Sequence, residues 1–341
     1  MSHAGKDGVL LVNTGSTSAP TTKATRAYLN QFLSDPRIID LPAWKRWLIV
    51  KCFILPFRPK RTAAAYQAVW TDRGSPLLAI SEGFRDALQA ALPEKAVAIG
   101  MAYGQPSVPS AVDALIAQQV RRIIVVPMFP QYASATTGSV LSAVYEYATT
   151  KWNVPMISAL PPFYDDEDFL DAWKEVAGPA LAAFKPDHVL LSYHGLPERQ
   201  LKRCDPSGSH CLQRPDCCSV AVEANRMCYG RHCTVTSQAL VKRLGLEEGK
   251  YTIAYQSRLG RDPWLSPATD ETIGKLAEQG VKRLAVLSPA FVADCLETLE
   301  EIAIGGQETF HHHGGKDYLL VPSLNTHPKW VETLAKLVRA V

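Results

Sequence analysis

The sequence predicts two similar doubly wound α/β domains, each built on a four-stranded parallel sheet. Three observations predict it. The chain has 341 residues, more than one average domain and suited to two. Short apolar, β-rich runs alternate with longer helical stretches, the pattern of parallel strands joined by helical crossovers. The two halves also repeat one plan. Gln105-Pro106-Ser107-Val108-Pro109-Ser110 and Asp262-Pro263-Trp264-Leu265-Ser266-Pro267 each open a helix. Each helix ends in a basic pair, Arg121-Arg122 or Lys282-Arg283, and leads into an apolar strand stopped by Pro127 or Pro289.

The elements follow in order. Strands are expected over 8–13, 96–102, 122–127 and 154–160 in the first half. Those of the second half are expected over 188–193, 251–256, 283–288 and 317–321. The acidic run Asp165-Asp166-Glu167-Asp168 opens a helix to about residue 184, because negative charge in a first turn complements the helix dipole. The expected domains are 1–165 and 166–341. Ligands of such sheets bind beyond the carboxyl ends of the strands, so a cleft between the two domains is the expected site.

Composition narrows the function. Hydrophobic residues make up 47% and charged residues 20%, the proportions of a folded globular chain rather than a disordered or fibrous one. With 36 basic against 33 acidic residues, nothing points to nucleic acid as a partner. No apolar run reaches transmembrane length, and the first residues lack a signal-peptide layout. A cytoplasmic protein is expected. Of eight cysteines, Cys204, Cys211, Cys217, Cys218, Cys228 and Cys233 are clustered. In a reducing compartment such clusters mean metal more often than disulfides. Cys52 and Cys295 lie outside the group and read as packing residues.

Two constellations could carry chemistry. His194 follows an apolar strand and precedes Gly195-Leu196-Pro197. That places an imidazole, able to take a proton or bind a metal near neutral pH, at the sheet's carboxyl edge. The glycine allows something to approach closely. Further on, Asp294, Glu297 and Glu301 share one face of an expected helix. A row of like charges is costly unless it is solvated, paired with cations or used to pass protons.

The chain resembles the ferrochelatases on motifs spread over most of its length. They include Leu11-Val12-Asn13-Thr14-Gly15, Phe32-Leu33-Ser34-Asp35-Pro36-Arg37, Tyr103-Gly104-Gln105-Pro106-Ser107 and Pro130-Gln131-Tyr132. The second half adds Ser192-Tyr193-His194-Gly195-Leu196-Pro197-Glu198-Arg199, Gln256-Ser257-Arg258 and the run from Phe291 to Glu301. The resemblance implies two Rossmann-like domains and insertion of ferrous iron, as substrate, into protoporphyrin IX. It places the family's metal-site histidine on His194 and its essential glutamate on Glu297, with Glu301 one turn further. Thr14 and Tyr132 are expected to line the porphyrin pocket. Relatives often carry an arginine where this chain has Ala102. Arg121, Arg122, Lys60 and Arg61 are the candidates to replace it, for instance in holding a propionate.

Iron insertion suits these residue types. Both pyrrole N–H protons must leave as iron enters. Bending the ring turns a nitrogen lone pair out of plane, and a base on that face then accepts a proton. His194 is read as proton acceptor, iron ligand or both, and Glu297 and Glu301 as escorts of metal or protons.

The cysteine cluster, at about 204–233, is an insertion relative to common bacterial members. Four thiolates can hold a [2Fe-2S] cluster or zinc, but the spacing matches no common zinc ribbon. The segment resembles that of a bacterial subgroup with a [2Fe-2S] cluster in an internal insertion. The expected ligands are Cys211, Cys218, Cys228 and Cys233, with Cys217 in reserve. Residues 41–61 mix Trp44, Trp47, Phe53 and Phe57 with Lys45, Arg46, Lys51 and Arg58, which suits peripheral contact with an anionic membrane. The resemblance makes this region a lip of the porphyrin pocket. Competing readings are a chelatase for coproporphyrin III or another tetrapyrrole, an inactive heme- or metal-binding protein, and an iron–sulfur electron carrier.

Overall fold

The computed structural model describes residues 5–214, 216–258, 260 and 262–341. The chain forms two compact units. The first gathers the chain through Phe129, then Ser134–Pro161 and Val331–Val341. The second gathers Pro130–Ala133 and Pro162–Trp330.

The first unit holds the strands β1 (Gly8–Gly15), β2 (Ala96–Tyr103), β3 (Arg122–Pro127) and β4 (Met156–Ala159). They form one parallel sheet in the order β2-β1-β3-β4. Val9 to Val12 and Ile123 to Val126 are all buried, as expected of parallel strands covered by helices on both faces. The strand β4 is shorter than the apolar run 154–160. Pro155 has no N–H to give to the ladder, so pairing starts at Met156.

The second unit repeats the plan. The strands β5 (His188–His194), β6 (Tyr251–Gln256), β7 (Arg283–Leu287) and β8 (Asp317–Leu320) form a parallel sheet in the order β6-β5-β7-β8. The duplicated Pro-rich turns also match in detail. Met101 N–H donates to the Pro106 carbonyl and Tyr255 N–H to that of Pro267.

Local chemistry sets the helix ends. The carboxylate of Asp166 accepts from Phe169 N–H and caps the helix Glu167–Phe184, whose first turn carries Glu167 and Asp168. Such a cap contributes about 1 kcal/mol. Gly245, in the left-handed conformation, ends the helix Tyr229–Leu244, since it carries no Cβ to clash.

At the amino edge of the first sheet Asp7 is buried and bonded to Arg121, Arg122 and Lys95. Burial pushes its carboxyl up, but the three cations more than reverse this and hold it at about 2. This corrects one expectation. Arg121 and Arg122 are engaged at the end of the sheet away from Thr14, so they are not free to stand in for the arginine missing at Ala102.

The segment 41–61 folds as the helix Ala43–Leu48 followed by a wider π-helical stretch, Ile49–Ile54. Val50 and Leu55 pack inward with Leu29, Leu33 and Ile39. Trp44, Trp47, Phe53 and Phe57 are all at least 60% exposed. Cys52 is exposed on the same stretch, so it is not the packing residue the sequence suggested. Among the described residues no helix is long and apolar enough to cross a membrane.

Candidate active site

In the second sheet β5 is flanked by β6 on one side and β7 on the other, so chain connections leave it in opposite directions. Sites in open α/β sheets lie at such a switch point, beyond the carboxyl ends. His194 is the last residue of β5. The chain leaving β7 reaches Glu297 and Glu301 in the π-helical segment Glu297–Gly305.

His194 is half-buried, and its Nδ1 lies 2.7 Å from the Gly195 carbonyl oxygen. A carbonyl only accepts, so Nδ1 carries the proton in neutral imidazole and Nε2 keeps its lone pair. Gly195 allows this turn. A Cβ there would lie 2.9 Å from the Gln256 carbonyl oxygen, and that oxygen accepts the Gly195 N–H at 2.8 Å. The group that the glycine lets approach is therefore the neighbouring strand.

Glu301 is held by Ser257, whose N–H donates at 2.7 Å and whose hydroxyl donates at 2.5 Å. Ser257 sits at φ +66°, a left-handed conformation uncommon for a serine. Its place just after β6 turns both donors onto one carboxylate. Burial pushes the Glu301 carboxyl up; Ser257 and the nearby His194 oppose this and Glu297 adds to it, leaving it raised above the ordinary value.

Gln256 binds the two halves of the site. Its side-chain carbonyl accepts from the Ser192 hydroxyl at 3.0 Å, and its amide donates to the Glu297 main-chain carbonyl at 3.3 Å. Gln256-Ser257 stands within a family motif, but the sequence assigns neither residue a role. The available signal was position, directly after an apolar strand beside the one that ends at His194.

The acidic row needs correction. Asp294 precedes the helix and faces elsewhere, accepting from Asn325 at 2.7 Å and from Thr298 at 3.0 Å. It ties the segment's start to the loop at 323–325. Glu297 and Glu301 do share the helix. A π-helix closes i to i+5 bonds and is wider than an α-helix, so a spacing of four is close to one turn. Cys295 is likewise more than packing, because its buried thiol hydrogen-bonds Glu297.

Thr14 is half-buried at the carboxyl end of β1 in the first unit, with its N–H on the Asn13 side chain. The adjoining Gly15 has φ +108°, and a Cβ there would lie 1.8 Å from the Tyr103 carbonyl oxygen. Asn-Thr-Gly is thus fixed by close passage of the neighbouring strand. Tyr132 belongs to the second unit. Its N–H donates to His232 Nδ1 at 3.0 Å.

The cysteines divide. Cys228 is hydrogen-bonded by the thiols of Cys211 and Cys218, and the N–H groups of Gly230 and Arg231 also point at it. These donors favour its thiolate and draw its pKa down, while those of Cys211 and Cys218 are pushed up. Cys217 Sγ lies 3.8 Å from Cys218 Sγ. Cys211 and Cys218 thus both meet Cys228, and Cys217 meets Cys218. Cys233 is fully buried one turn into the following helix, and its thiol is bonded to the Tyr229 hydroxyl. Among the described residues no three His, Cys, Asp or Glu side chains form a ready metal-ion site.

A separate groove of about 1150 Å³, lined by Lys174, Glu175, Asp187, Arg243 and Lys250 among others, opens at the amino end of β5. It is at the opposite sheet edge from His194 and mixes both charges.

The ferrochelatase family model matches residues 6–341. The chain belongs to the ferrochelatase family. The chain is 44% identical to the ferrochelatase of Azotobacter vinelandii over 97% of its length and 98% of the relative's. Ferrochelatases of Coxiella burnetii and Pseudomonas entomophila are 42% and 43% identical, covering 98% and 96% of this chain and 93% and 97% of theirs. Among solved structures it is similar in fold to SirB from Bacillus subtilis with Fe3+, with a TM-score of 0.54 at 13% identity, covering 98% and 94% of the two chains. It also matches the sirohydrochlorin chelatase SirB in complex with cobalt, from Bacillus subtilis subspecies spizizenii, with a TM-score of 0.55 at 12% identity and the same coverage. The chain is thus a metal chelatase, and its reaction is the insertion of ferrous iron into protoporphyrin in heme biosynthesis.

Proposed function

We propose that His194 and the pair Glu297 and Glu301 carry the metal insertion. The supporting observation is the hydrogen bond from His194 Nδ1 to the Gly195 carbonyl, which leaves Nε2 as a free lone pair beyond the sheet edge. Nε2 accepts a pyrrole proton or holds the incoming ferrous ion. Glu301, raised by burial, takes up a proton at higher pH than an ordinary carboxylate, so it suits the next step of the relay. Glu297 stands one turn before it. Thr14 and Tyr132 line the porphyrin pocket in this reading, and Lys60 and Arg61 remain to replace the arginine absent at Ala102. Protoporphyrin IX is the substrate in preference to coproporphyrin III.

The test is anaerobic turnover of ferrous iron with each porphyrin, followed by the porphyrin spectrum, with His194→Ala beside the wild type. Heme formation by the wild type alone is expected, with a loss of about a hundredfold or more in the variant. Equal turnover by both proteins would remove His194 from the mechanism.

The cysteine-rich segment is read as the holder of a [2Fe-2S] cluster. Cys211, Cys217, Cys218 and Cys228 supply the four soft sulfur donors such a cluster takes, and N–H groups aimed at Cys228 suit a sulfur carrying negative charge. Cys233, engaged with Tyr229, gives way to Cys217 in this set. When bound, the cluster would supply one-electron redox chemistry. The exposed aromatic face at 44–57, with Lys45 and Lys51 beside it, supports peripheral contact with the inner face of the membrane by a cytoplasmic enzyme.

A further inference from the structure

The helix Tyr229–Leu244 starts immediately after Cys228, and its first turn reaches two parts of the site. The Tyr229 hydroxyl, buried, donates to the main-chain carbonyl of His194 at 2.9 Å. It is bonded in turn to the Cys233 thiol. One turn on, the imidazole of His232 is fully buried and fully engaged. Its Nδ1 accepts the N–H of Tyr132 at 3.0 Å, and its Nε2 lies 2.9 Å from the carbonyl oxygen of Arg226 in the cysteine-rich segment. The first bond requires a lone pair on Nδ1 and the second a proton on Nε2, so a single neutral tautomer satisfies both. The ring stacks on Tyr164 at 3.7 Å. Gln131, beside Tyr132, donates to Thr236 on the same helix at 3.0 Å.

We propose that this first turn is the mechanical link between the cysteine-rich segment and the metal-insertion site. Tyr229 positions His194, and His232 positions the Tyr132 loop. Neither touches substrate. The link explains why a buried histidine spends both ring nitrogens on main-chain groups from two distant segments. A change in the thiol group, whose Cys228 caps the helix, moves the turn that holds both parts of the site. The proposal rests on the reading of His194 and Tyr132 given above.

Steady-state iron insertion into protoporphyrin tests it in the full chain, with melting temperatures recorded. Tyr229→Phe keeps the ring and removes one buried hydrogen bond, so kcat is expected to fall about fivefold with KM for porphyrin unchanged. His232→Asn keeps an acceptor near Nδ1 for the Tyr132 N–H. His232→Gln keeps reach toward Arg226 but not that acceptor. KM for porphyrin is therefore expected near wild type in the first and raised about fivefold in the second. Equal KM changes in both, or a Tyr229→Phe kcat within about twofold of wild type, would overturn the positioning roles. Should His232→Gln fail to fold, His232→Leu, which keeps bulk but no acceptor, replaces it: a raised KM supports the role and a wild-type KM removes it. Coupling is read from Cys218→Ser combined with Tyr229→Phe, whose joint loss is expected to be smaller than the product of the single losses. Independent losses, or no effect of Cys218→Ser, would sink the link. His194→Ala run beside them separates the two failures. If it turns over like wild type, the assignment of His194 fails; if it is inactive while Tyr229→Phe is normal, only the positioning fails.

Discussion

At Glu301 two opposing effects meet on one carboxyl group. Burial favours the protonated form, and the two donors of Ser257 favour the charged form. The balance predicts a pH effect. Ser257→Gly removes the hydroxyl and suits the left-handed backbone, so the fold is kept. One hydrogen bond to the charged form is lost, and the Glu301 carboxyl rises further. A proton acceptor must be ionised to act, so the acid limb of kcat against pH is expected to move to higher pH. An acid limb that stays in place or moves down would show that Glu301 takes no proton in turnover. The roles of Gln256 and Ser257 could not be read from their residue types, because each acts through a bond to another strand or helix.

Within single elements, buried charge and clustered thiols make separate predictions. Asp7 joins the starts of three strands through Arg121, Arg122 and Lys95. Its carboxyl is depressed from 3.8 to about 2. A depressed carboxylate stabilises the fold above its unfolded pKa and loses that contribution as pH falls through the folded one. Roughly 2 kcal/mol should therefore disappear between about pH 4 and pH 2. Asp7→Asn should remove at least that much at neutral pH, because three cations lose their partner. Denaturant unfolding checks both, and an unchanged midpoint would refute the account. For the cysteine-rich segment, Ala at Cys211, Cys217, Cys218 or Cys228 is expected to abolish bound iron and sulfide and the visible absorbance of the purified protein. Ala at Cys233 should keep them. Loss of the chromophore in Cys233→Ala with its retention in Cys217→Ala would restore the ligand set expected from the sequence.

Over the whole molecule, several exposed aromatic side chains are concentrated at 44–57 among the described residues. Trp44, Trp47, Phe53 and Phe57 stay at least 60% exposed although Val50 and Leu55 of the same stretch are buried. Replacing the four by Ser should weaken binding to anionic vesicles about tenfold or more, as vesicle flotation would measure. Undiminished flotation would assign that face another purpose. Both sheets share one strand order, so the duplicated Pro-rich turns and basic pairs are legible as architecture in the sequence. Boundaries were less so, because grouping depends on contacts. Pro130–Ala133 falls in the second unit, where Tyr132 and Gln131 bond the helix Tyr229–Leu244.

By itself the sequence determined the number and rough extent of the strands, the order of the motifs, the place of His194 at the end of one strand and that of Glu297 and Glu301 on the helical segment that follows another. Those features follow from local periodicity and from residue type, which short-range physics reads directly. The tertiary structure alone decided which groups meet. It turned Asp294 away to Asn325, gave Glu301 its serine, and put Cys295 on Glu297. It also bound Arg121 and Arg122 to Asp7, and engaged Cys233 with Tyr229. Each of these is a hydrogen bond or ion pair between segments whose separation along the chain says nothing of their distance in space, and distance in space decides which donor finds which acceptor.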